Sequence, residues 1–205
     1  DNIARLPLLD RDELQSSIGV ALGERNLLVT FHPVTLEADT ATSQMQSLLS
    51  ALDAFPDINT FITMPNADTE GREIVTLINE YVAATPRASC FTSLGSLRYL
   101  SLMQYVDGVV GNSSSGLIEA PSMQKPTVNI GSRQSGRLRS DSVIDANPTT
   151  ESIIEAITKL YSTDVQQWLQ DSQSPYGEPG ASKALVTVLE TTSLDGILMK
   201  HFHSL

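Results

Sequence analysis

Residues 111–116 read Gly111-Asn112-Ser113-Ser114-Ser115-Gly116 and lead into Leu117-Ile118-Glu119-Ala120. The short apolar run Gly108-Val109-Val110-Gly111 stands just before, so the pattern is a strand, a turn of small residues and a helix start. Amide N–H groups at a helix N-terminus lack partners and carry partial positive charge. Small side chains let an anion approach them, and serine hydroxyls add donors, which suits a phosphate. The competing reading is that the serines only cap a helix. Neither a Walker A pattern nor GxGxxG is present, which sets aside the phosphate cradles of kinases, ATPases and NAD enzymes.

Other residues fit the same chemistry. Glu119 follows Ser113 by six positions, and a carboxylate beside a phosphate site can accept from two sugar hydroxyls. Arg133, Arg137 and Arg139 bring three of the chain's 13 basic residues into one loop, and guanidinium forks match phosphate oxygens. His32 ends the first apolar run, just before Pro33, where an imidazole can donate to a phosphate or act as acid or base. Asn66 and Arg72 follow the second run, and Ser93 follows the third. Taken singly, each has an ordinary alternative as a solvated or structural residue. Cys90, between Ser89 and Phe91, reads as a small buried hydrophobe rather than a nucleophile.

The elements that must position these residues alternate. Short strands are expected at 26–31, 59–64, 88–92, 108–111 and 126–130. Helices are expected at 39–54, 70–83, 97–105 and from Ser113, with apolar residues recurring every three or four positions. Such alternation implies βαβ units around a parallel sheet. In a sheet of this kind ligands bind beyond the carboxyl ends of the strands, so five strand ends with polar groups would share one edge. Residues 131–140 are polar, basic and aperiodic, hence a loop. A helix follows over 149–161, then the turn-rich Pro175-Tyr176-Gly177-Glu178-Pro179-Gly180 and a last helix over 181–190. Asp10-Arg11-Asp12-Glu13 reads as a helix start near the N-terminus.

Composition narrows the class. Thirteen basic and 24 acidic residues leave a net charge of −11, which disfavours nucleic acid and anionic membranes as partners. Hydrophobic content of 40% fits a globular domain, and no apolar stretch is long enough to span a bilayer. One cysteine excludes an internal disulfide and a cysteine-rich zinc site, and a reduced, cytoplasmic setting fits best. The chain opens on Asp1 without a leader and reads as a piece of a longer protein. His201 and His203 stand near the end, where exposure or ordering by a partner domain is expected.

The stretches Leu28-Val29-Thr30-Phe31-His32-Pro33-Val34-Thr35, Met64-Pro65-Asn66, 111–121, and Pro126-Thr127-Val128-Asn129-Ile130-Gly131-Ser132-Arg133-Gln134-Ser135-Gly136-Arg137 together resemble the hydrolysing UDP-N-acetylglucosamine 2-epimerases. Ser174-Pro175-Tyr176-Gly177 is similar to the family's terminal Asn-Pro-Tyr-Gly stretch, and the likeness extends over about residues 1–190. The resemblance implies an α/β fold, a Rossmann-like parallel sheet flanked by helices, forming the C-terminal half of a GT-B-like two-domain enzyme. Residues 1–190 are then the UDP-binding domain and 191–205 a tail expected to be disordered. The carboxylates that move protons belong to an N-terminal domain absent from this chain, so the chain alone is expected to hold UDP without turnover.

The implied reaction removes UDP from UDP-N-acetylglucosamine by anti elimination, after which water adds to give N-acetylmannosamine, the precursor of sialic acid. No cofactor or metal is implied. The family's roles fall on His32, Ser113, Ser114 and Arg133 at the diphosphate, and on Glu119 at the ribose. Asn66 and Arg72 match positions lining the nucleotide-sugar cleft, and Ser93 stands near the uracil loop where some relatives carry histidine. His32 is the one catalytic candidate, expected to help neutralise the leaving diphosphate. The implied partners are UDP, UDP-N-acetylglucosamine, the missing domain and a second copy of the chain. Three other readings remain open: an epimerase of UDP-2,4-diacetamido sugars serving legionaminic-type acids, the donor domain of a GT-B glycosyltransferase, and a non-catalytic nucleotide-sugar sensor.

Overall fold

The structure is a computed structural model that describes residues 1–33, 40–65, 69–171, 174–196 and 198–199. The described chain divides into two compact units, Leu6–Gly177 and a smaller one of Asp1–Arg5 with the segment from Glu178 onward. The sequence reading draws its boundary later, at residue 190.

The larger unit carries six strands: β1 (Arg25–Thr30), β2 (Ile58–Thr63), β3 (Ala88–Phe91), β4 (Gly108–Gly111), β5 (Thr127–Ile130) and β6 (Val143–Ala146). Its helices are α2 (Arg11–Ile18), α3 (Ala41–Asp53), α4 (Thr69–Ala84), α5 (Gly95–Tyr105), α6 (Ser115–Ser122), α7 (Thr150–Leu160) and α8 (Thr163–Asp171). All strand pairs are parallel, in the order β3-β2-β1-β4-β5-β6. The order reverses between β1 and β4, which is where a doubly wound sheet opens a crevice at its carboxyl edge.

The sheet is buried on both faces, which is why its strands read as apolar runs rather than alternations. Leu27, Val29 and Phe31 pack with Met45, Leu48, Leu52, Ile74, Ile78, Ile153 and Ile157 on the side of α3, α4 and α7. Leu28 turns the other way, to Phe61, Leu102, Met103, Val109 and Ala120 on the side of α2, α5 and α6. Register matches this division, with Leu28 opposite Phe61 and Val109, and Val29 opposite Ile62 and Val110. Leu27, Leu28 and Val29 are fully buried, each worth about 1.5–3 kcal/mol of transfer free energy.

Two elements of the larger unit escape the sequence reading. Strand β6 is four residues long with Asp145 in its middle, and it pairs through β5 at the sheet edge, where a charged side chain reaches water. Helix α8 follows α7 after a short break and shows mostly polar residues. Cys90 is half-buried rather than enclosed, its Sγ 3.8 Å from Asn79 Oδ1. Among the described residues no helix is long and apolar enough to cross a membrane.

The smaller unit joins α1 (Asn2–Arg5) to α9 (Ala181–Thr191). Its Asp1 carboxylate accepts from the Gly180 and Ser182 amides at 2.5 and 2.8 Å, and so serves the first turn of α9. Helix α9 buries no side chain, leaving Leu185, Val188 and Leu189 exposed. The end of the expected tail, from residue 200, lies outside the described residues.

Candidate functional site

The switch point between β1 and β4 is tied together by one asparagine. Asn112, which is 1% exposed, leaves β4 and donates its amide N–H to Thr30 O at 3.1 Å. Its Oδ1 accepts from the His32 amide and its Nδ2 donates to the His32 carbonyl, both at 2.8 Å. Its own carbonyl accepts from Arg133 Nη1 at 2.9 Å and Gln134 Nε2 at 2.6 Å. Three loops, after β1, β4 and β5, therefore meet on a single residue. Gly111 makes the approach possible. It sits at φ +138°, and an added Cβ would lie 2.0 Å from Thr30 O.

The serine turn follows directly. Ser114 precedes α6 and its hydroxyl makes no capping bond, so the capping alternative fails for that side chain. Ser113 Oγ accepts weakly from the Ser115 amide, at 3.4 Å. Ser115 instead pairs its hydroxyl with Tyr99 of α5. Burial pushes the Tyr99 phenol up, hydrogen bonds to Ser115 and Thr30 oppose the shift, and the charge of Glu119 adds to it. Glu119 stands half-buried in the second turn of α6. Gly116 lets α6 close on β5, since a Cβ there would meet Thr127 Cγ2 at 2.6 Å. Thr127 Oγ1 donates to the Gly116 carbonyl at 2.7 Å and locks that packing.

The arginine loop is held at both limbs. Arg133 and Gln134 bind Asn112 as described, and Tyr176 Oη donates to the Leu138 carbonyl at 2.6 Å. Burial, then repulsion from Arg137, holds the Arg133 guanidinium below its usual range. Among the described residues neither Arg133 nor Arg137 forms an ion pair, and of the two Arg133 reaches the switch point through its bond to the Asn112 carbonyl. Arg139 departs from the three-arginine grouping: its Nη1 contacts Asp145 Oδ1 and Oδ2 at 2.7 and 2.8 Å.

The structure thus brings the His32 backbone, the turn of Ser113 and Ser114 and the Arg133 guanidinium to the β1/β4 switch point, with Glu119 in the second turn of the adjoining α6. Arg72 is exposed on the first turn of α4, one strand further out, and Asn66 lies outside the described residues. Ser93 sits beyond β3, two strands from β1, with its Oγ accepting from the Gly95 amide at 3.2 Å. That hydroxyl serves the start of α5. Asn112, Gln134, Tyr99 and Tyr176 are the positioning residues that sequence reasoning quoted or passed over without a role. Asn112, Gln134 and Tyr176 were marked only by their place inside the Gly111–Gly116, 131–137 and Ser174–Gly177 stretches, and Tyr99 only by the helix expected over 97–105. Among the described residues no group of three or more His, Cys, Asp or Glu is placed to hold a metal ion.

Comparison with known proteins identifies the family and the fold. The family model described as UDP-N-acetylglucosamine 2-epimerase matches residues 1–190. A GDP/UDP-N,N'-diacetylbacillosamine 2-epimerase (hydrolyzing) of Campylobacter jejuni is 34% identical over 98% of this chain and 52% of its own length. The polysialic acid biosynthesis protein P7 of Escherichia coli is 35% identical over 93% of this chain and 48% of its own. Among solved structures, the S. aureus MnaA–UDP co-structure superposes with a TM-score of 0.66 at 15% identity, covering 89% of this chain and 48% of that one, a likeness of fold. The chain spans about half the length of the curated relatives it matches. With a family model matched along nearly its whole length, this chain belongs to the UDP-N-acetylglucosamine 2-epimerase family.

Proposed function

We propose that this chain is the UDP-binding half of a hydrolysing UDP-N-acetylglucosamine 2-epimerase with two Rossmann-like domains in a GT-B-like arrangement. The observation that carries the reading is the Asn112 junction, which brings His32, the serine turn and Arg133 to one crevice at the sheet's switch point. There the diphosphate lies against the start of α6, with Ser113 and Ser114 donating and Arg133 supplying charge. Glu119 accepts from the ribose hydroxyls. Arg72 and Ser93 extend the cleft on the side of β2 and β3, and Asn66, outside the described residues, is assigned to the same nucleotide-sugar cleft by this reading.

Loss of UDP from the sugar concentrates negative charge on the diphosphate. Donors already fixed in place stabilise that charge without reorganising. His32, its backbone clamped by Asn112, contributes there rather than at the sugar's C2. The proton chemistry belongs to carboxylates outside this chain, and the product is N-acetylmannosamine for sialic acid synthesis. A cytoplasmic homodimer is part of the same reading. The name of the Campylobacter jejuni relative favours a second substrate, a UDP-2,4-diacetamido sugar, held by the same nucleotide site.

Calorimetric titration of the chain with UDP and GDP tests the nucleotide site. Saturable UDP binding, weaker for GDP and lost in Glu119→Ala and Arg133→Ala, is the expected result. An Arg133→Ala variant that binds UDP as tightly as the parent would remove the diphosphate role. Product analysis of the enzyme joined to its other half then separates N-acetylmannosamine from a diacetamido sugar. Release of UDP only with an acceptor present would instead mark a glycosyltransferase.

A further inference from the structure

The arginine loop has a second side. Arg133 and Gln134 turn to Asn112, whereas Ser132, Ser135, Gly136 and Arg139 line an open cavity of about 660 Å³ over the carboxyl ends of β5 and β6. That volume lies in the range of small-molecule sites. It is displaced from the switch point, which lies between β1 and β4.

The wall of the cavity is built. Asn129 and Asp145 stand opposite each other in the β5–β6 register. Asn129 Nδ2 donates to Asp145 Oδ1 at 3.0 Å, and Arg139 Nη1 grips both Asp145 oxygens at 2.7 and 2.8 Å. This leaves Asn129 Oδ1 buried with no hydrogen-bond partner, on a residue 4% exposed. A buried acceptor of that kind costs about 1–3 kcal/mol until a donor reaches it. The amide cannot turn over to escape the cost, because its Nδ2 is held on a carboxylate.

The chemistry of the lining selects a ligand class. Arg139 and Asp145 neutralise each other, and no other charged side chain lines the cavity among the described residues. An anion would face the Asp145 carboxylate, and a cation would face the guanidinium. The serine hydroxyls and the paired Asp145 and Arg139 groups on the lining offer donors and acceptors side by side, which suits hydroxyl groups that donate and accept at once. We propose that this cavity is a second binding site, separate from the nucleotide crevice, for a neutral, hydroxyl-rich ligand of monosaccharide size. Because its roof is the loop that carries Arg133, occupancy there stiffens the nucleotide site. The coupling, unlike the site itself, rests on the UDP reading above.

Amide NMR spectra of the 205-residue chain, titrated with free N-acetylglucosamine, free N-acetylmannosamine and inorganic phosphate, test the proposal. At least one sugar is expected to saturate, moving the Asn129 side-chain amide and the backbone amides of 131–136 and 145–147, while phosphate leaves them in place. Ser135→Tyr, at an exposed loop position on the lining, takes up part of the cavity and is expected to weaken the sugar about tenfold or more. Asp145→Ala, also exposed, is expected to act in the same direction by releasing Arg139 and Asn129. No saturation at tens of millimolar of either sugar overturns the proposal. So do shifts that persist unchanged in Ser135→Tyr, shifts centred on Ser113 and Glu119, or an equal response to phosphate. A parallel titration with UDP reads the nucleotide site independently: its failure removes the coupling while the sugar arm still reports on the cavity. Where both bind, each ligand must tighten the other by the same factor.

Discussion

Replacing Asn112 with alanine is the sharpest perturbation of the site. The side chain makes two hydrogen bonds of 2.8 Å, both to the backbone of His32, and is 1% exposed. Alanine strands one N–H and one C=O where water has little access. Each unsatisfied group costs about 1–3 kcal/mol, so the variant is expected to lose roughly 2–6 kcal/mol of stability. In a domain of this size that lowers Tm by roughly 5–15 °C. The Asn112 carbonyl remains, so Arg133 and Gln134 keep their anchor, and the damage concentrates on the turn after β1. UDP affinity is therefore expected to fall through His32 even in conditions where the variant is fully folded. Asn112→Asp keeps the acceptor for the His32 amide but sets a carboxylate against the His32 carbonyl, so it should not rescue. Urea unfolding followed by calorimetry on the folded variant measures both effects. A stability within about 0.5 kcal/mol of the parent, with unaltered UDP binding, would refute the clamp.

Three further outcomes are expected. Gly111→Ala, with its Cβ 2.0 Å from Thr30 O, should prevent stable folding, whereas Gly131→Ala, at φ +72° with nothing within 4 Å, should cost only about 1–2 kcal/mol in thermal unfolding. Arg133→Ala should weaken UDP by roughly 10–100-fold, as for loss of a charged hydrogen bond, with Arg133→Lys intermediate and both differences shrinking in high salt. Burial raises the phenols of Tyr81, Tyr99 and Tyr161 in the folded chain. A raised folded pKa means that the folded state holds protons the unfolded state has released. The associated stability is whole below the unfolded tyrosine pKa of about 10 and is lost as pH rises beyond it. Denaturation midpoints measured across that alkaline range should fall less steeply in Tyr99→Phe, and an identical slope would remove Tyr99 from the account.

Much of this molecule was determined locally. The apolar run around Leu28 is buried on both faces, so it could be nothing but a central strand, and the spacing of Met45, Leu48, Leu49 and Leu52 leaves only one helix face for the core. The serine turn between β4 and α6 and the loop that carries Arg133 after β5 were legible as turn and loop, because small and polar residues at a strand end are written consecutively. What only the tertiary structure decided are the pairings between distant segments. Sequence placed Arg133, Arg137 and Arg139 together, and β6 separated them by drawing Arg139 onto Asp145. That strand was itself hidden, because an edge strand of four residues needs only two buried side chains and tolerates a charge. Asn112 looked like one polar residue among several, yet it bonds His32 eighty positions away and Arg133 twenty-one positions away. Local propensity and periodicity report what a residue does for its own element. Which distant backbone group completes its hydrogen bonds depends on how the elements pack, and that is settled only once the sheet has formed.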